Sequence, residues 1–156
     1  MAIGINELRI TPRVGTYVYL PNAPQPHNCI VSDTVTTPLK AGDVLTLDTT
    51  STNPYCPVVK KAAVTDPVYG VLIYDVRTDS YGPNAKTQAA VEGSTVYFEA
   101  AGAIQPMAEL YFNADGQVTS TPTTGNSIIG IANTYAAAAG DLVQVKLRFA
   151  KTAGGS

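Results

Sequence analysis

The sequence predicts an all-β protein: a small β-barrel or β-tulip-like domain built from two similar meanders, with an extended N-terminal arm. Three observations carry that expectation. Thr, Val, Ile and Tyr supply about a third of the 156 residues, and β-branched and aromatic side chains fit a pleated surface better than a helix. Only 14% of residues are charged, against roughly 25% in an average soluble domain. Short apolar runs are separated throughout by Gly, Pro, Asn and Asp, the residues that turn a chain. The length suits one sizeable domain.

Residues 1–37 differ from the rest. No Lys, Arg, Asp or Glu occurs from Val14 to Ser32, and prolines stand at 21, 24 and 26. Proline fixes φ and removes a donor, so PNAPQP reads as an extended turn segment rather than a central strand. Two readings stand for this segment. It is either a strand and loop packed on its own domain, or an arm lying on another subunit. Residues 38–150 then form the barrel domain, and 151–156 a flexible tail.

From Pro38 the pattern becomes regular. AGDVLTLD (41–48) is a Gly-Asp turn launching an alternating strand. The loop TTSTNPYC leads to a short strand at Pro57-Val58-Val59, and YGVLIYDV (69–76) is an apolar run consistent with a buried strand. RTDSYGPNAKTQ (77–88) reads as polar loop around a Tyr-Gly-Pro-Asn turn. Gly93 leads a further strand, Thr95 to Glu99. MAELYFNADGQVTST (107–121) is a strand, an Asp115-Gly116 hairpin turn and a return strand.

The order then repeats. IIGIANTY (128–135) takes the place of YGVLIYDV, with Gly130 matching Gly70, and MAELYF takes the place of AGDVLTLD. AAAAGDLVQVKLRF (136–149) matches the stretch around Gly93, Gly140 standing for Gly93. Four alanines ended by glycine are too few to nucleate a helix, so they read as a tight connection. Two copies with unequal loops cannot stack into a solenoid. Two meanders closing on one another suit them better.

The same residues narrow the function. Ten basic residues against twelve acidic ones, with no basic run, leave nothing to displace counterions from a nucleic acid. No stretch approaches the roughly 18 apolar residues of a membrane helix, and MAIGINELRITPR lacks the layout of a signal peptide. The expectation is a soluble protein made in a cytoplasm, without nucleic-acid or membrane partners. Cys29 and Cys56 match no metal spacing. The single histidine, His27, has no catalytic partner near it in sequence. The scattered aspartates sit at turns, where carboxylates bond backbone N–H groups. No nucleophile elbow, phosphate loop or zinc motif is present. The reading is therefore a protein that is not an enzyme and needs no cofactor or metal. What stands out is bare surface: residues 100–108 and 116–140, like 14–32, carry no charged side chain. Soluble monomers normally disperse charge, so such stretches suit burial against other protein.

Pro38-Leu39-Lys40-Ala41-Gly42-Asp43-Val44-Leu45-Thr46-Leu47-Asp48, the strand at Pro57, Tyr69-Gly70-Val71-Leu72 and Gly93 to Gly102 together resemble the head decoration, or capsid cement, proteins of tailed bacteriophages. The resemblance covers roughly residues 38–104. It implies a non-enzymatic β-barrel, commonly a homotrimer, bound to the major capsid protein on the outside of an expanded icosahedral shell. It also implies that Ile3, Ile5, Leu8 and Ile10 of the arm add an edge strand to the shell. Tyr17, Tyr19 and Leu20 complete the expected capsid-binding or neighbour-binding set. Two rival readings are another virion part, such as a head-fibre base or tail-associated β domain, and a carbohydrate-binding β-sandwich. Nine tyrosines support the latter, and the lack of tryptophan opposes it.

Overall fold

The computed structural model describes residues 12–151. Eleven strands are present and no helix is found among the described residues: β1 (Tyr17–Val18), β2 (His27–Val31), β3 (Val44–Leu47), β4 (Val58–Lys61), β5 (Gly70–Leu72), β6 (Lys86–Ala90), β7 (Thr95–Glu99), β8 (Glu109–Phe112), β9 (Val118–Thr119), β10 (Ser127–Ala132) and β11 (Leu142–Lys151). Strands β2 to β6 close into a five-stranded barrel in the order β2-β4-β3-β5-β6, and the others form a six-stranded sheet, β1-β7-β11-β10-β8-β9.

The two units share one pattern of antiparallel strand pairing. In the first, β3 pairs with β4 and β5, β5 with β6, and β6 with β2. In the second, β8 pairs with β9 and β10, β10 with β11, and β11 with β7. Leu45 faces Gly70 across one ladder as Leu110 faces Gly130 across the other. The first barrel closes through a parallel seam, Ile30 to Val58 and Val31 to Val59. The second has only the parallel bridge Ala100 to Val118 at that place. Ser32 N–H donates to Val59 O and Ala101 N–H to Val118 O, both at 2.8 Å. The second unit is thus an opened version of the first, and β1 lies along the freed side of β7.

Strands β3 and β5 and the end of β6 are buried on both faces where the units meet. Leu45, Leu72 and Ala89 point into the barrel with Val31, Val59 and Tyr81. Their neighbours Val44, Val71 and Ala90 point outward into a larger core shared with Phe98, Leu110 and Val145 of the second unit. This explains why YGVLIYDV reads as a continuous apolar run rather than an alternating one. The fillings differ between copies. Tyr81 fills the first barrel where the second has Ala136, and Phe98 fills the second where the first has Cys29.

Two expectations need correction. Residues 86–90 are a strand, not loop. Lys-Thr-Gln-Ala-Ala has no β-branched pattern, yet Ala89 and Ala90 are wholly buried, one facing the barrel interior and the other the shared core. In consequence β11 is the copy of β6, and Gly140 stands at the station of Asn84 (φ 64°), both in left-handed turns before their strands. The strand at Thr95 is instead the copy of β2. In the 1–37 segment, the described strands pack on their own domain, as in the first of its two readings. β2 is two-sided barrel wall, with Cys29 and Val31 buried, and β1 pairs with β7.

Candidate functional site

The AGD turns show how local sequence positions the surface. Gly42 (φ 89°) and Gly140 (φ 93°) take the left-handed conformation glycine tolerates. The aspartate after each accepts backbone N–H groups: Asp43 from Lys40, Asp141 from Ala137 and Ala138. The copy of Gly42 in the second unit is Met107. Its N–H donates to Ala132 O at 2.8 Å, as Gly42 N–H donates to Leu72 O at 2.7 Å. Met107 also keeps φ at 73° and leaves its side chain 78% exposed. A left-handed L-residue costs roughly 1–2 kcal/mol. Folding favours glycine here, as the first copy has it, so a strained and exposed methionine points to a use outside the fold.

The surroundings of Met107 fit that use. The bridge between Ile104 and Ala136 and the bond from Gly140 N–H to Ala100 O join the uncharged stretches 100–108 and 132–140 into one end of the second unit. Pro106, Met107 and Tyr135 are exposed on it. The corresponding end of the first unit carries Lys40, Asp43, Asp75, Arg77 and Asp79. Val14 also covers it so closely that a Cβ on Gly42 would overlap the valine. Two copies of one scaffold therefore present one charged, capped end and one bare apolar end.

The residues expected from sequence to bind a shell or neighbour fall in different places. Ile3, Ile5, Leu8 and Ile10 lie outside the described residues. Tyr17 is buried, its hydroxyl donating to Pro24 O and its ring edge-on to Tyr19 at 4.6 Å. Tyr19 is 78% exposed and Leu20 half exposed beside it. Met107 and Tyr135 were missed by sequence reasoning. The signal was the pairing of uncharged segments, visible only once the repeat is in register.

Cys29, Asp48 and Asp75 are tied into the fold. Burial, with Cys56 nearby, pushes the Cys29 thiol up to about 12, so it stays protonated and inert. Asp48 and Asp75 are held at about 2, the first by the hydroxyls of Ser32 and Thr50 and the Thr50 N–H, the second by Arg77. Both are occupied by turn bonds. Among the described residues no three His, Cys, Asp or Glu side chains gather as metal ligands.

Comparison with known proteins adds three findings. Residues 25–147 match the family described as phage cement protein. No curated protein matches the chain. Among solved structures it is similar to the head fiber gp8.5 N base of bacteriophage phi29, at 16% identity and a TM-score of 0.54, over 80% of this chain and 93% of that one.

Proposed function

Since this chain belongs to the phage cement protein family, we propose that it binds the outer surface of an icosahedral phage capsid and cements the expanded shell. A ligand that binds only the expanded lattice shifts the equilibrium toward it, so the role requires no catalytic step. The observation that supports the contact surface best is Met107, strained and exposed at the uncharged end of the second unit. Met107, Tyr135 and Leu20 give apolar contacts. Ile3, Ile5, Leu8 and Ile10 extend them by adding an edge strand to the major capsid protein. A homotrimer would repeat these contacts, and many uncharged contacts repeated by symmetry give avidity with little salt dependence.

Met107→Gly tests the surface because its two effects have opposite signs. It relieves the left-handed strain, so the thermal midpoint should rise or hold. It also removes the exposed side chain, so co-sedimentation with expanded capsids lacking this protein should weaken at least about tenfold. Unchanged occupancy rejects this face. Failure of the unaltered protein to bind expanded capsids rejects the function itself.

A further inference from the structure

A groove of about 500 Å³ crosses the outside of the first barrel, between Tyr19, the 73–77 turn and the paired strands β2 and β6. We propose that it is a carbohydrate site taking a gluco-configured oligosaccharide, a binding function additional to the shell contact. The volume lies within the range of about 300–1,000 Å³ typical of small-molecule sites.

The lining has the two parts such a ligand needs. A gluco-configured pyranose has flat C–H faces and a rim of equatorial hydroxyls, so it requires an aromatic platform beside planar polar groups. Tyr19 is the platform. Its ring is exposed but held in place by the edge-on packing against buried Tyr17, whose hydroxyl is itself bonded to Pro24 O. A fixed exposed aromatic loses little entropy on binding. Tyr74 stands in the same groove with the Arg13 guanidinium 5.2 Å from its ring centroid, a cation–π contact that holds the ring.

The polar wall is the cross-strand pair Asn28 and Gln88. Gln88 Nε2 donates to Asn28 Oδ1 at 3.1 Å. Each amide has donors and an acceptor, so Asn28 Nδ2 and Gln88 Oε1 remain for the vicinal hydroxyls of a sugar. Lys86 also lines the groove and can donate to a sugar hydroxyl. On the rim Asp75 and Arg77 are paired in a fork, with Nη2 2.8 Å and Nε 3.1 Å from the two carboxylate oxygens. Neither is left to attract an ion. The groove's wall is not repeated in the second unit: Tyr135 stands at the station of Asp75, and residues 76–80 have no counterpart.

The test uses the full chain, isotope-labelled, titrated with cellotriose and separately with chitotriose up to about 10 mM, where even millimolar affinity saturates. Saturable amide shifts at Asn28, Tyr74 and Gln88 with either sugar are expected, weakened at least tenfold in both Tyr19→Ala and Gln88→Ala. Met107→Gly should leave the titration unchanged, which separates this proposal from the shell reading. Absence of saturable shifts with both sugars overturns the proposal, as does equal binding by the two groove variants. Loss of capsid co-sedimentation in Tyr19→Ala without any sugar shift also overturns it, assigning the groove to protein contact instead.

Discussion

The glycines at matched stations show how single atoms set the spacing of this fold. A Cβ on Gly70 would sit 2.6 Å from Ala90 O, and one on Gly130 would overlap the Lys146 carbonyl. Both clashes are with backbone of the next strand, which cannot swing aside. Gly130→Ala and Gly70→Ala should each destabilise by about 1–3 kcal/mol, or very roughly 3–10 °C in thermal midpoint for a chain of this size. Gly82→Ala meets nothing within 4 Å and should be close to neutral in the same melt. Acid acts through different residues. Asp48 and Asp75 have folded-state pKa values near 2 against an ordinary 3.8. A depressed folded value means the unfolded chain takes up the proton first. Their contribution is therefore present above about pH 4 and disappears as pH falls from about 4 to 2. Midpoints measured across that window should decline, and Asp48→Asn should make the decline shallower. A curve of unchanged slope would show that the Ser32 and Thr50 bonds contribute nothing.

At the level of elements, the two interiors are distinct clusters, one around Tyr81 and one around Phe98. Tyr81→Ala and Phe98→Ala each open a cavity, at about 3–5 kcal/mol for the phenylalanine. Because they lie in separate clusters, the double variant should lose the sum of the two within about 0.5 kcal/mol. Denaturant unfolding checks this, and strong coupling would mean that the barrels share one interior. The strands were legible in sequence wherever their chemistry is conventional: β3, β5, β7, β8 and β10 follow from β-branched runs and Gly or Asp turns. The register of the repeat slipped at β6, because Lys-Thr-Gln-Ala-Ala lacks the side chains that usually mark a strand. What makes it a strand is its pairing with β2 and β5, which a linear pattern does not contain. The same slip hid the candidate surface. Met107 looks like an ordinary residue before a strand until it is set against Gly42.

On the scale of the whole molecule, the N-terminal region has two roles that truncation separates. Removing residues 1–11 leaves β1 and β2 intact, so the cooperative melt should survive while capsid occupancy falls. Extending the deletion through Val31 removes the strand that joins β4 to β6, and no folded barrel should remain by circular dichroism. Equal capsid occupancy after the shorter deletion would reject a role for Ile3, Ile5, Leu8 and Ile10. The shared core also has a consequence in time. The chain is made from its N-terminus, so the first barrel has all five of its strands once Ala90 has emerged from the ribosome. Its outer face of Val44, Val71 and Ala90 then stays bare until the last strand is synthesised. For that interval the nascent protein carries a sticky, half-covered wall, and infection at high expression makes such walls meet one another. Speed of synthesis of the second copy, as well as stability of the first, then bears on how much protein folds instead of aggregating.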